Sequence, residues 1–398
     1  MSNFWQPLAV LAAVALAIGL RFSPKLRGYQ FTAWIIAAVT AAMIYPQAFQ
    51  KWGDVKLRDP WIILLVVQAV MFGMGTQMSL RDFTGVVKTP RGVGVGILCH
   101  FTVMPLVGFS LTKIFHFEPE IAAGIILIGS CSSGLASNVM AYIAKSNLVL
   151  SVTVTAITTM IAPLMTPLWM KLLAGKLVPT SYVDMMNEII KITLVPIGAA
   201  LLHDYLKQPS ARARQVILGI AAVGAVWLVF LPCGGWQLIT ANVSTSAAVA
   251  VSMAGFLFAA VVAGVGYHWL TLRLPKLDSW MPAASMFGIV YFTLVTTAAG
   301  RDNLIKIGGL LFLAAALHNA AGCFFGYWLS RVVGLDKNSA RSVAFEVGLQ
   351  NGGMASGIAG KLGMLGTLGL AAAIFSPWMN ISGSILANYW AKRPVKTG

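Results

Sequence analysis

Residues 345–353 read FEVGLQNGG and place a carboxylate and two amides inside a run with the composition of a membrane-buried helix. An acidic side chain at the bilayer centre costs at least about 2.5 kcal/mol, and such residues are usually functional. Of the 12 Asp and Glu residues, only Glu346 lies well inside an apolar run. Because the glycines beside it weaken a helix, the segment predicts a membrane helix that is interrupted next to a buried acid.

The composition predicts a polytopic all-α membrane protein. The chain has 398 residues, of which 58% are hydrophobic and 10% are charged. Apolar runs recur along its length, and each is long enough to cross a hydrocarbon core of roughly 30 Å. The formal net charge of +16 comes from Lys and Arg residues that are scattered singly. We therefore expect the protein to lie in a lipid bilayer and to have no nucleic acid partner.

Signatures of catalysis and of stable metal binding are missing from the sequence. The four cysteines are widely spaced and lie in or beside apolar runs, which predicts neither a disulfide framework nor a metal site. There is no His-Glu-x-x-His, no Gly-x-Ser-x-Gly and no phosphate-binding Gly-x-x-x-x-Gly-Lys motif. The residues therefore favour a protein that is not an enzyme and has no cofactor.

The apolar runs predict thirteen transmembrane helices. They cover residues 5–20, 32–48, 61–79, 92–113, 120–144, 147–174, 187–204, 215–232, 245–269, 281–299, 303–330, 338–360 and 365–391. Most Lys and Arg residues fall in cytoplasmic loops if the amino terminus is outside, which satisfies the positive-inside rule. We therefore predict a multi-pass protein of the inner (plasma) membrane with a cytoplasmic carboxyl terminus.

Two glycine-containing segments in different halves of the chain are similar. Residues 133–138 read SGLASN, residues 352–357 read GGMASG, and each is followed by a span with a mid-helix proline, Pro163 or Pro377. The predicted topology makes the two spans run in opposite directions. This pattern indicates an inverted repeat, in which discontinuous helices meet near the bilayer midplane and form an ion and substrate site. The alternative is that the small residues only allow close helix packing.

Polar side chains of the second half predict sites for an ion and a substrate. Glu346 and Gln350 are four residues apart and share a helix face, next to carbonyls that the glycines free from the helix. Asn351 and Asn380 are candidate polar groups for a substrate. His100, in the first half, lies mid-span and is a proton carrier, a ligand or a hydrogen-bonded core residue.

The first half of the chain offers neutral oxygen atoms in a comparable position. Ser137 and Asn138 follow the first glycine-containing segment, and Ser151 and Thr155 share a face of the next span. Hard oxygen ligands of this kind suit a small cation. The alternatives are that each hydroxyl bonds a carbonyl of its own preceding turn and that Glu346 only bonds a neighbouring helix.

Several motifs resemble those of the bile acid:sodium symporter family in content and order. They read MFGMG at 71–75, MP at 104–105, ASNVM at 136–140, LSV at 150–152, EVGLQN at 346–351 and SPWMNISG at 376–383. The resemblance covers about residues 32–206 and 280–392. It implies ten helices in two inverted five-helix repeats, which cross at two discontinuous helices and form a core and a panel domain. It also implies transport of organic anions with two sodium ions.

Carried over by motif, the resemblance implies two sodium sites and a substrate site. The first sodium site would use Ser137, Asn138, Ser151, Thr155 and Glu346. The second would use Glu346, Gln350, the carbonyls of Val347 and Leu349, and His100, which stands where the family usually has a glutamine. The substrate would contact Asn351, Asn380, Gly134 and Leu135. The last two belong to a turn that departs from the family's usual Pro-Gly-Gly-Thr, so a bile acid is not assumed.

These patterns together predict the organisation and the function. The predicted parts are an extra helix at 1–24, a first repeat at 32–176, a second repeat at 186–206 and 280–392, and an inserted helix pair at 213–270. We predict sodium-coupled symport of an organic anion, a carboxylate or a bile-acid-like molecule, by alternating access. The alternatives are a proton-coupled organic anion carrier that uses Glu346 and His100, and a membrane sensor or intramembrane enzyme. Sodium is the only metal expected, as the coupling ion, and the substrate and oligomeric state stay open.

Overall fold

The structure is a computed structural model that describes residues 5–22, 30–393 and 395, excluding the side chains of Thr245 and Ser246. This part of the chain is almost entirely helical, and a short hairpin pairs β1 (Lys51–Trp52) with β2 (Val55–Lys56). The prediction of a helical chain with many apolar helices is confirmed. Residues 1–4 and 23–24 of the predicted extra helix lie outside the described residues.

The α-helices are numbered in chain order. They are α1 Trp5–Gly19, α2 Gln30–Ile44, α3 Pro60–Gly75, α4 Gly85–Lys88, α5 Pro90–Phe115, α6 Pro119–Ser130, α7 Ala136–Ile143, α8 Leu148–Trp169, α9 Tyr182–Ile189, α10 Val195–Tyr205, α11 Ala211–Phe230, α12 Trp236–Asn242, α13 Thr245–Arg273, α14 Leu277–Ala299, α15 Arg301–Val332, α16 Lys337–Gly348, α17 Gly352–Lys361 and α18 Leu368–Ala391. Short 3-10 segments lie at Leu20–Phe22, Pro46–Phe49 and Leu80–Thr84. Turns of π-helix lie at Met170–Ala174, Ile190–Leu194 and Leu231–Gly235.

The number of membrane crossings depends on how interrupted helices are counted. Within the described residues, 9 helices are long and apolar enough to cross a membrane, or 10 if Pro60–Gly75 and Leu80–Lys88, bent by 62°, form one span. Two of the predicted spans are instead built from pairs of shorter helices, α6 with α7 and α16 with α17. The number thirteen therefore stays a prediction.

Local sequence signals set the helix starts near these interruptions. The side chains of Asn147, Asp336 and Asn351 accept backbone N–H groups from the first turns of α8, α16 and α17, respectively. Such caps satisfy donors that a helix start would otherwise leave unpaired. Pro163 and Pro377 lie inside α8 and α18, at the mid-helix positions expected from the sequence.

The chain between α6 and α7 and the chain between α16 and α17 lie against each other. Ser133 and Gln350 form an antiparallel bridge, and the N–H of Gly134 donates to the carbonyl of Leu349 at 3.1 Å. Backbone groups that leave a helix in a membrane protein must find partners in protein, and here each interruption supplies partners for the other. A Cβ atom at Gly134 would lie 2.6 Å from the carbonyl oxygen of Gln350, so this approach requires glycine.

The helices of the predicted insertion pack away from the interruptions. Helix α13 packs on α10 and α11 packs on α13, around a small cluster of Leu206, Ala221 and Val265. The main apolar core instead surrounds the interruptions and includes Phe345, Val347 and other fully buried residues of α16. The insertion therefore adds to the side of the molecule that carries α10.

Candidate ion and substrate site

The carboxylate of Glu346 is fully buried, with a relative exposure of 0%. Three hydroxyl groups donate to it: Ser137 at 2.6 Å and Ser151 at 2.5 Å bond Oε1, and Thr155 at 2.8 Å bonds Oε2. These donors lie on α7 and α8, whereas the acid lies on α16. The structure therefore brings together, around one carboxylate, residues from both halves of the chain.

Asn138 completes this group of oxygen atoms. Its Oδ1 lies within hydrogen-bond distance of the hydroxyls of Ser151, at 2.9 Å, and of Thr155, at 3.2 Å. Each of these two hydroxyls has one proton but faces two acceptors, the amide oxygen and the carboxylate of Glu346. We call Glu346, Ser137, Asn138, Ser151 and Thr155 the carboxylate cluster. It concentrates oxygen lone pairs and a negative charge in an enclosed place, which suits a small cation.

A second set of oxygen atoms, the backbone carbonyls at the end of α16, is engaged by protein donors. Nδ1 of His100 lies 2.9 Å from the carbonyl oxygen of Glu346. The side-chain amide of Gln350 donates to the carbonyl of Val347 at 2.8 Å, while its Oε1 is buried and has no hydrogen-bond partner among the described residues. The carbonyl of Leu349 accepts the N–H of Gly134. The residues predicted for a second ion therefore also lie together.

A cavity of about 220 Å³ opens beside the two interruptions. All four residues predicted for the substrate contribute to its lining: Gly134, Leu135, Asn351 and Asn380. The amide of Asn380 donates to the carbonyl of Ser376 at 2.8 Å, and the Oδ1 of Asn351 caps α17. The cavity also borders Gln350, at the end of α16, and Ala136, which directly precedes Ser137 of the carboxylate cluster.

The opposite wall of the cavity was not identified from the sequence. It is formed by α2, α3, α14 and the turn just after α3, through Phe31, Met74, Gln77, Pro282, Ser285, Met286 and Ile289. Ser285 and Gln77 are single polar residues in mainly apolar surroundings, and nothing in the sequence indicates which way they face. Their contribution follows only from the placement of α3 and α14 against the interruptions.

Asn319 is a further polar residue that sequence reasoning missed. Its Nδ2 donates to the carbonyl of Gly348 at 2.8 Å, and its Oδ1 accepts the hydroxyl of Ser382 at 2.6 Å. The buried amide, on α15, therefore ties the end of α16 to α18. In the sequence, its position in the middle of an apolar helix could have identified it, because a buried polar group needs hydrogen-bond partners.

Comparison with known proteins identifies the family. Residues 63–243 match the model of the sodium bile acid symporter family. The chain is 30% identical over 372 residues to the uncharacterized sodium-dependent transporter YocS of Bacillus subtilis, with 93% of each chain covered. The chain belongs to the sodium bile acid symporter family.

Two further relatives of this symporter family member come from eukaryotes. The identity is 26% over 390 residues to the probable sodium/metabolite cotransporter BASS1, chloroplastic, of Oryza sativa, covering 98% of this chain and 76% of the relative. It is 27% over 317 residues to the human ileal sodium/bile acid cotransporter, covering 78% and 72%. Family membership confirms the predictions of a multi-pass membrane transporter that is not an enzyme, and it implies sodium as the coupling ion.

Proposed function

We propose that this protein is a symporter that uses the sodium gradient to move a small organic anion across the plasma membrane. The observation that carries the proposal is the carboxylate cluster, in which three helices enclose a single acid directly behind the walls of a cavity. Coupling requires that ion and substrate sites share mobile parts. Here they share the two helix interruptions.

The chemistry of the carboxylate cluster favours sodium. No Lys or Arg of the described residues forms an ion pair with Glu346, so no basic side chain balances its charge. The hydroxyls of Ser137, Ser151 and Thr155 now donate, but each also has two lone pairs. By rotating its proton away, each hydroxyl turns from a donor to the acid into a ligand for a cation. One bound monovalent ion would then balance one buried negative charge.

The cavity favours an anion without supplying a basic side chain. The amino ends of α7 and α17 both border it. The backbone N–H groups of Leu135, Ala136 and Gly353 donate to no acceptor within the part of the chain that the structure describes. Helix amino ends carry partial positive charge and bind carboxylates and phosphates. Since no charged residue lines the cavity, these groups are the proposed anion contacts.

The size and lining of the cavity favour a small carboxylate with an apolar part. Its volume of about 220 Å³ lies below the roughly 300–1,000 Å³ of typical ligand pockets. Beyond Asn351 and Asn380, most of the lining is apolar and includes Val139 and Met379. A carboxylate at the helix ends with a short apolar body toward these side chains would satisfy both features.

Alternating access would arise from movement of the two interruptions against the opposite wall. We propose that α2, α3, α9, α10 and α14 form the panel, with the insertion at 213–270 attached to it through α10. Helices α5–α8 and α15–α18 would form the core. The repeats at 32–176 and at 186–206 with 280–392, the thirteen spans and the outside amino terminus belong to the same proposal. In that topology the cavity, near the end of α3 and the start of α14, faces the cytoplasm.

The proposal is tested by thermal unfolding of the purified protein with a panel of organic anions, in sodium and in choline. A ligand that binds the folded state raises the unfolding temperature, and a coupled substrate should do so more strongly in sodium. The anion so identified should then accumulate in proteoliposomes only under an inward sodium gradient. Uptake without sodium that follows an imposed pH gradient would select the proton-coupled alternative. Binding without uptake would select a sensor.

A further inference from the structure

The carbonyls at the end of α16 form a second group of potential cation ligands. All four carbonyls from residue 346 to residue 349 face an N–H donor or an imidazole nitrogen of the protein. The partners are His100 for Glu346 at 2.9 Å, Gln350 for Val347 at 2.8 Å, Asn319 for Gly348 at 2.8 Å and Gly134 for Leu349 at 3.1 Å. Each of these four carbonyl oxygens therefore already faces a protein nitrogen, whereas the buried Oε1 of Gln350 has no hydrogen-bond partner among the described residues.

His100 is the centre of these contacts. Its ring is fully buried, and Nε2 lies 2.8 Å from the carbonyl oxygen of Cys131 while Nδ1 faces that of Glu346. Cys131 begins the interruption between α6 and α7, and Glu346 lies in the last turn before the other interruption. The imidazole ring thus fills the space between two carbonyls that belong to different interruptions and links them. A cation that bridged these carbonyls would have to displace the ring.

The hydrogen-bond donors of the carboxylate cluster and those at the end of α16 differ in whether they can become ligands for a cation. In the carboxylate cluster the donors are hydroxyls, which have lone pairs and can become ligands. At the end of α16 they include the side-chain amide nitrogen of Asn319 and the backbone N–H of Gly134, which have no lone pair to offer. A cation there would lie beside the positive ends of these N–H groups and compete with them for the carbonyl oxygens. A buried donor whose hydrogen bond is weakened in this way is unfavourable.

We infer that the chain's own donors, with His100 at their centre, take the place of a second coupling ion, and that the protein binds one sodium, at the carboxylate cluster. This inference rests on the proposed function and departs from the two sites that the family resemblance implies. Symport of a monovalent anion with one sodium moves no net charge. Accumulation of such an anion therefore follows the sodium concentration gradient and not the membrane potential.

The direct test is equilibrium binding of radioactive sodium to the purified full-length protein, with choline as the replacing cation. The expected result is one sodium per chain and a Hill coefficient of one. Two sodium ions per chain would overturn the inference and leave the proposed function intact. No saturable sodium binding would overturn the proposed function itself, and the inference with it.

The role of His100 is tested by His100→Gln, which supplies an amide oxygen as a possible ligand. We expect this variant to bind a second sodium, so that the count rises from one to two. The matched control is His318→Gln, because His318 is a similarly buried histidine whose Nε2 bonds the carbonyl of Met104 at 2.8 Å and not a carbonyl of residues 346–349. It should retain one sodium. One bound sodium per chain in both variants would overturn the role of His100 in preventing a second sodium from binding at the end of α16.

Discussion

Ser137 and Glu346 lie 209 positions apart in the sequence, yet the hydroxyl of Ser137 donates to the carboxylate of Glu346 at 2.6 Å. Ser137 lies in the first turn of α7, immediately after one interruption, and Glu346 lies in the last turn of α16, immediately before the other. A shift of either interruption would therefore change the distance between these two groups. If the carboxylate cluster binds an ion, as proposed, this geometry would link the binding of that ion to the shape of the adjacent cavity.

Replacing Glu346 with Gln should abolish most of the sodium response. The substitution removes the formal negative charge of the carboxylate cluster and keeps the size of the side chain. We expect the apparent dissociation constant for sodium to rise by more than about tenfold, which corresponds to 1.4 kcal/mol. The dissociation constant is measured from the rise in unfolding temperature as sodium replaces choline.

Glu188→Gln is the matched control for this change. Glu188 pairs with Lys191 at 3.2 Å and Lys361 at 3.5 Å near the protein surface, away from the carboxylate cluster. It should leave the sodium response unchanged. A Glu346→Gln protein that is folded and still shows the wild-type sodium response would contradict the ion site.

Removing one hydroxyl oxygen from the carboxylate cluster should weaken sodium binding by a smaller factor. Thr155→Val keeps the shape of the side chain but removes the oxygen that lies within hydrogen-bond distance of both Glu346 and Asn138. We expect the apparent dissociation constant to rise about three- to thirtyfold, or roughly 0.7–2 kcal/mol. Thr159→Val is the control, since the hydroxyl of Thr159 bonds the carbonyl of Thr155 in its own helix. Equal effects of the two substitutions would exclude Thr155 as a ligand.

The carboxylate cluster could be located from the sequence because it depends on two features visible there: an acid inside an apolar run, and a glycine-containing segment that occurs in both halves of the chain. A buried acid is costly, so Glu346 was conspicuous. The similarity of the two glycine-containing segments then predicted that Ser137 and Asn138 would approach it. The structure places these residues together, while their role as sodium ligands stays a prediction.

Other features depend on packing that the sequence does not encode locally. Asn319, Gln77 and Ser285 contribute through the faces that their helices turn toward the interruptions, and hydrophobic periodicity is weak in helices that are apolar all round. The closure of carbonyls by His100 likewise depends on where α5 lies against α16. The number of spans stays a prediction because each half of an interrupted helix is too short to cross the membrane by itself.

Gly134→Ala should destabilise the contact between the two interruptions. The added Cβ would lie 2.6 Å from the carbonyl oxygen of Gln350, which is closer than van der Waals contact permits. Overpacking of this kind costs about 1–3 kcal/mol, so the unfolding temperature should fall and sodium stabilisation should weaken. Gly219→Ala is the control, because open space surrounds that position on α11. A Gly134→Ala protein as stable and as sodium-responsive as wild type would contradict the close approach.

Asn380→Ala should weaken anion binding without changing sodium binding. Asn380 lines the cavity, and its Nδ2 bonds the carbonyl of Ser376 at 2.8 Å and not a residue of the carboxylate cluster. Loss of one hydrogen bond to a charged ligand corresponds to about 1.5–3 kcal/mol, so the affinity for the transported anion should fall at least about tenfold. The measurement is anion-dependent stabilisation at saturating sodium, and sodium binding without the anion should equal that of wild type.

Asn388→Ala provides a close match for this variant. Asn388 lies on the same helix, its Nδ2 bonds the carbonyl of Ser384 at the same distance of 2.8 Å, and it lies outside the cavity. It should therefore retain the wild-type affinity for the anion. If both variants bind the anion as tightly as wild type, the substrate does not contact Asn380. If Asn380→Ala instead loses sodium binding as well, the residue acts on the interruptions and not on the anion alone.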